Sequence, residues 1–429
     1  MRRIIALLLA VIMILGLMSC AKKEKSEVFT PKLSQDTSCS LKVAGSYSNF
    51  EALESEFERF YEYYPNVSIS YVYLDDYYNT IVSAIASEEA PDIFTTTSSM
   101  LSDAKMNTLF ENAENLADPA LKIDLDCIRE GAMRTTANGE VLMLPIFTRT
   151  YGMLVNMDIF EKNGLKVPGN YAELVETCKK LIAAGYKYPI MGANGTTVAG
   201  MYYAFAFPMF SNTVMKNKDS LDALNALDSS AGELMRPALE RLKAFLDAGY
   251  IDPAVCAEQI SDDYNAVIMR FFEGDVPMML GGGDMVSGTA KRESKSEAFT
   301  ANPFKYKFYV VPAGDEGGYF LDTVNMFFTV NKNSANLDMT NEFIRFLTSE
   351  KELGNMAAIK RLTPPTDDFS FDEVYSSLEG FPKERTFTSR ETGINDAVNA
   401  EFRKATYKIA NGEMTVDEAI AAFGTLNAK

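Results

Sequence analysis

Between Pro145 and Pro168 the chain reads PIFTRTYGMLVNMDIFEKNGLKVP, and no other stretch restricts the fold as much. It opens as a short apolar strand, VLMLPIF, breaks on Thr148-Arg149-Thr150-Tyr151, and resumes as a second strand, GMLVN. Asp158 then caps a short helix, MDIFEKNG, that ends on Gly164. An arginine buried alone between two apolar strands costs several kcal/mol. Arg149 therefore belongs at a wet cleft where two bodies meet, and the rest of the chain reads as two lobes built around that crossing.

At 429 residues the chain exceeds one ordinary core, and two domains of about 200 residues each are expected. Its formal charge of −18 argues against partners that carry negative charge themselves, such as nucleic acid or anionic lipid surfaces. It says little about a neutral ligand. The chain has no histidine, which removes Ser-His-Asp and Cys-His nucleophilic machinery and His-ligated zinc. It has no tryptophan either, so any stacking on a ligand falls to tyrosine or phenylalanine.

Arg2 and Arg3 precede an apolar run from Ile4 to Leu17, too short to span a membrane and laid out as a secretory signal. The run closes on Leu17-Met18-Ser19-Cys20, which resembles the lipobox of bacterial lipoproteins. That likeness implies a signal peptide over 1–19 and acylation of Cys20, with 20–38 as a charged, Pro-containing tether. Cleavage there would remove two arginines and take the charge from −18 to −20. Cys39, Cys127, Cys178 and Cys256 have no metal spacing. In an exported protein they either form two disulfides, with three possible pairings, or stay unpaired.

SLKVAGS over 40–46 reads as a strand, and Ser48-Asn49-Phe50-Glu51 fits a capping box opening a helix to about Tyr64. VSISYVYL follows as the parallel partner strand of a βαβ unit. A helix from Tyr77 to Ser87 leads into DIFTTTSS. Ligands in open parallel sheets bind beyond the carboxyl ends of strands. Ser46-Tyr47-Ser48 and Thr95 to Ser98 sit at two such ends, where their hydroxyls either bind a polar ligand or cap the next helix.

Asn170 caps a helix to Gly185, and 186–192 is a short strand. The uncharged run MYYAFAFPMF over 201–210 is read as core at Phe205 and Phe207, with Tyr202 or Tyr203 free to face a ligand. Residues 233–249 form an amphipathic helix. The strand PMML then runs into Gly281-Gly282-Gly283-Asp284, which permits a close backbone approach but has neither the dinucleotide nor the P-loop spacing. No cofactor and no metal are expected. Further strands fall in YKFYVVPAG and GGYFLDTVNMFFTV, Asp338 caps MTNEFIRFLTS, and Arg361 to Pro365 break the pattern again. Late helices run from Asn395 to Ala410 and, through the capping box Thr415-Val416-Asp417-Glu418, to Phe423.

Six landmarks now stand in order: APDIF, the 145–168 stretch, FFEGDVPMMLGG, VVPAGDEGGYFLDTVNMFFTVNKNS, NEFIRFLTSEKELGN and NGEMTVDEAI. Their joint spacing resembles the extracellular solute-binding proteins of the carbohydrate ABC-importer family (the maltose-binding type). The resemblance implies an α/β, two-lobed type II periplasmic-binding-protein fold, each lobe a mixed sheet flanked by helices. Three crossings then fall near Thr148, Phe320 to Asp322 and Arg361 to Pro364, giving lobe 1 as 39–148 plus 322–360 and lobe 2 as 149–321 plus 361–429.

The same resemblance implies a function. It makes the chain a monomeric, lipid-anchored receptor, without catalysis, that captures a carbohydrate and hands it to the permease subunits of an importer. Matching the family's ligand positions are Ser46, Tyr47, Thr96, Thr97 and Ser98, then Arg149 and Tyr151, Tyr202 and Tyr203, Gly283 and Asp284, Asp322, Arg361 and Asn399. Two departures stand out. The family's sugar binders stack on tryptophan, absent here, which favours a smaller or more polar ligand. An acidic residue usual at the first crossing is Arg149 here, which either meets an anionic group (a uronic acid or sugar phosphate) or makes a salt bridge to Asp322. Rivals are a receptor for another polar solute, such as a polyamine, and a secreted glycosidase using Asp284 and Asp322.

Overall fold

A computed structural model describes residues 29–192, 200–252, 264–348, 350–367 and 369–426. Cys20 and Cys256 lie outside these residues, as does the side chain of Asp284. The chain divides into Met1–Lys32, whose described residues 29–32 hold no helix or strand, and a body, Leu33–Lys429. No helix among the described residues is long and apolar enough to cross a membrane.

The body is mixed α/β, with two sheets flanked by helices. In the first sheet, β1 (Cys39–Gly45) lies parallel to β2 (Val67–Tyr73) on one side and to β3 (Ile93–Thr96) on the other. The expected βαβ unit is therefore present. β10 (Phe320–Val330) runs antiparallel to β3 and to β4 (Leu144–Arg149), and its first residues pair in parallel with β11 (Thr386–Thr388). The second sheet has the order β7-β6-β8-β5-β9: β5 (Tyr151–Asn156), β6 (Ile190–Met191), β7 (Ile251–Asp252), β8 (Met278–Gly282) and β9 (Tyr306–Tyr309). β4 ends on Arg149 and β5 begins on Tyr151, so a single residue, Thr150, carries the chain from one sheet to the other.

Three helix starts differ from expectation. The helix Glu51–Tyr61 has Phe50 at its N-cap with no side-chain cap, so the Ser48 box does not form. Phe50 is fully buried against Tyr47, Tyr71, Phe147 and Phe328, and burying the ring sets the chain's entry instead. Asn156, not Asp158, caps Met157–Lys162 by accepting from Ile159 N, because the helix begins directly at the end of β5. Asp338 lies in the first turn of Leu337–Leu347, whose N-cap is Asn336. Asn170 and the Thr415 capping box form as expected.

The aromatic run of 201–210 lies in the helix Gly200–Lys216, which packs against β8 and against the helix Asp396–Ala410. Phe210 stacks on Phe402 at 4.4 Å and 7°, fixing those two helices together. Cys39 and Cys178 are free thiols, and burial pushes Cys178 up to about 12. The Cys127 thiol donates to the carbonyls of Asp124 and Thr348.

Candidate functional site

Two cavities of about 590 Å³ each lie between the sheets and share Thr97, Arg149 and Asn325 in their walls, so they form one continuous cleft. The first sheet brings residues to it from the carboxyl ends of neighbouring parallel strands. Ser46 and Tyr47 follow β1, and Thr96 to Ser98 end β3 and start the helix Ser98–Ser102. Tyr47 is held in place by Tyr71, whose Oη accepts from Tyr47 N at 3.0 Å and donates to Tyr47 O at 2.9 Å. Thr96 is buried and bonded to Thr329 Oγ1 at 2.9 Å, which ties the end of β3 to β10.

Asn325 reaches the cleft because β10 is irregular there. The register with β4 slips on either side of Met326 (Val324 faces Thr148, Met326 faces Phe147), and Asn325 has no partner residue on that strand. A bulge of this kind re-aims a side chain. Its Nδ2 donates to Tyr47 Oη at 3.2 Å. Only the polar Asn inside an apolar run, TVNMFF, signals this position in the sequence.

Across the cleft, Tyr151, Tyr203 and Phe207 form an aromatic wall. Tyr203 stacks on Phe207 at 4.2 Å and 18°, and Tyr151 meets Tyr203 edge-on at 5.3 Å. Burial pushes the Tyr203 hydroxyl well above its ordinary value, so it stays protonated and donates to Asn399 Oδ1 at 3.4 Å. Asn399 lies on the helix Asp396–Ala410, where Asp396, Ala400, Arg403 and Tyr407 recur at helical spacing along the same cavity wall. The guanidinium of Arg403 stands 4.7 Å over the Tyr203 ring, and that of Arg149 5.6 Å over the Tyr151 ring. Arg134, from the loop before β4, lines the same cavity. Arg134, Arg403 and Asn325 are additions to the expected set.

Four expected positions lie elsewhere. Tyr202 is fully buried and donates to Asp252 O at 3.2 Å, one helical step away from Tyr203 and turned into the core. Asp322 lines a separate aromatic cavity of about 490 Å³ with Phe369, Phe371 and Phe381, and its Oδ2 pairs with Arg129 Nη2 at 2.6 Å. The salt bridge weighed between Arg149 and Asp322 is thus replaced by one from Arg129. Arg361 spends its guanidinium on Thr289 Oγ1, Glu293 Oε1 and Tyr306 Oη. Gly283 is buried against Arg149, where an added Cβ would stand 2.9 Å from Arg149 Cβ.

Comparison with known proteins places this architecture. The sequence model of bacterial extracellular solute-binding proteins matches residues 44–353. A binding protein of Brucella abortus (strain 2308) is 29% identical over 216 residues, 49% of this chain and 47% of the relative. The chain thus spans about half the length of the curated relatives it matches. Among solved structures, RafE in complex with raffinose aligns with a TM-score of 0.68 at 17% identity, covering 90% of this chain and 98% of that one. The GacH receptor of Streptomyces glaucescens, solved unliganded and with acarbose, aligns at 0.66 and 18%, covering 92% and 98%. At such identities the likeness is one of fold.

Proposed function

Because this chain belongs to the family of bacterial extracellular solute-binding proteins, we propose that it is the exported substrate-binding subunit of an ABC importer and captures a carbohydrate, mono- or oligosaccharide, in the cleft between its sheets. The observation that carries this reading is the cleft's composition. Hydroxyls, amides and guanidiniums converge from both sheets on a space backed by an aromatic wall. Asn and Arg can each bind neighbouring sugar oxygens in pairs, and ring faces suit the C–H side of a pyranose. The arginines disfavour a polyamine. Asp322, half of the carboxylate pair a hydrolase would need, faces a different cavity and is held by Arg129.

Capture works through the hinge. A ligand touching both walls binds only the closed arrangement well, and it shifts the equilibrium by its differential affinity for that state. The permease would read the closed shape, and acylation at Cys20 would hold the receptor at the membrane. A thermal-shift screen against mono- and oligosaccharides tests the reading, since binding the native state alone adds RT ln(1 + [L]/Kd), about 2.7 kcal/mol at a hundredfold excess over Kd. Arg149→Ala is expected to abolish the response to the best hit while the unliganded melting temperature stays within a few degrees. Release of reducing ends in the same incubations would favour hydrolysis instead.

A further inference from the structure

The cleft has the wrong charge for the protein around it. The chain carries 41 Lys and Arg against 59 Asp and Glu. Yet among the described residues lining the cleft and the two adjoining cavities of about 580 and 700 Å³ at its edges, eight are Lys or Arg and four are Asp or Glu. Arg134, Arg149, Arg403 and Lys404 surround one cavity with Asp396 the sole described carboxylate there. Arg292 lines the second cavity and the third, where Lys360 joins it.

This arrangement costs free energy in the absence of an anion. Gathering like charges in a groove of low dielectric raises the energy of each one. Burial lowers the affinity of Arg134 for a proton; Asp396 acts against it, and Arg390, outside the cleft, adds a smaller push in the same direction as burial. Among the described residues Arg134, Arg403 and Lys404 take part in no ion pair. Neither solubility nor a membrane surface explains cations turned inward in an acidic protein. A ligand that supplies the missing negative charge does.

Resting on the carbohydrate reading above, we infer that the ligand is an anionic saccharide, and that its acidic groups recur along a chain of sugars lying from the Arg134–Arg403 cavity past Arg149 to Arg292. The spread of the cations along the cleft favours repeated carboxylates, as in a uronic-acid oligosaccharide, over the single dense charge of a monosaccharide phosphate. The Tyr203–Phe207 wall meets a ring face while the guanidiniums take the acidic groups in two-point contacts.

The test titrates the full chain with tri-galacturonate, with glucose 6-phosphate, and with the neutral trisaccharide raffinose, by calorimetry at low and at high salt. The expected result is binding of tri-galacturonate at least about tenfold tighter than raffinose, weakening as salt rises. Arg134→Gln and Arg403→Gln together should loosen tri-galacturonate by about tenfold or more while the unliganded melting temperature holds or rises, since the crowded charges are relieved. Binding of glucose 6-phosphate alone overturns the repeated-carboxylate assignment. Tight raffinose binding with no response to either acid overturns the anionic ligand and leaves the carbohydrate receptor standing. Failure of all three sugars, and of a wider saccharide panel, overturns both.

Discussion

Arg129 and Asp322 fasten the three passages between the sheets at one point. Arg129 Nη2 lies 2.6 Å from Asp322 Oδ2 on β10 and 3.1 Å from Thr148 Oγ1 on β4. Its Nη1 donates to the carbonyls of Pro364 and Thr366 on the third passage. Thr148 and Thr363 are paired besides through both backbone directions and through their hydroxyls at 2.7 Å. One guanidinium therefore ties all three straps together beside the cleft.

Removing that guanidinium should be costly. Arg129→Ala leaves the Asp322 carboxylate largely buried without its cation, which for such pairs costs about 3–5 kcal/mol. Denaturant unfolding should show that loss. Arg129→Ala together with Asp322→Asn should recover part of it, since the orphaned charge is gone. A double variant as weak as the single one would show that packing rather than charge dominates the knot.

Glu56 should make stability depend on pH. It is fully buried, and Arg59 Nε is shared between Glu56 Oε2 at 3.1 Å and Glu352 Oε2 at 2.7 Å. Burial, then the hydrogen bond and charge of Glu352, push the Glu56 carboxyl up to about 9 from an ordinary 4.5. The folded state therefore holds a proton that the unfolded state has lost. The resulting stability is complete below about pH 4.5 and declines as pH rises toward 9. Glu56→Gln should be more stable than the parent by about 1–3 kcal/mol at pH 8 and nearly equal to it at pH 5. Melting curves at the two pH values decide; an equal gain at both would assign the effect to something other than the proton.

Asn325 should matter to binding and little to folding. Its side chain lies on the cleft and donates to a partly exposed hydroxyl, Tyr47 Oη. Asn325→Ala should weaken the ligand found in the sugar screen by about 10- to 100-fold, the worth of one or two polar contacts. The unliganded melting temperature should move by no more than about 2 °C. An unaltered affinity would remove Asn325 from the contact set.

Gly283 packs directly against the first passage. Its N–H donates to Thr150 O at 2.9 Å, and a Cβ would meet Arg149 Cβ at 2.9 Å and Tyr375 Oη at 3.1 Å. Neither neighbour is the loose end of a flexible chain, so Gly283→Ala should cost about 1–3 kcal/mol and displace Arg149. Weaker ligand binding together with a lower melting temperature is the expected pair of readouts. Retention of both would mean that the turn relaxes freely.

Local pattern alone carried much of the architecture. Short apolar runs gave β1, β2, β4 and β5, and Asn170, Asn395 and Thr415 announced their helices. The break at Thr148 to Tyr151 located the first passage, because a charged residue between apolar strands must find water or a partner. These features depend on neighbours a few residues apart, and the order of residues contains them. The tertiary structure decided the rest. It turned Tyr203 to the cleft and Tyr202 to the core, though they are adjacent on one helix. It gave Asp322 to Arg129, 193 residues away in sequence. It bulged β10 so that Asn325 points outward, and it brought Arg134 opposite the helix that holds Arg403. A polar side chain's role is set by whatever long-range segment arrives beside it, and no local periodicity records that arrival.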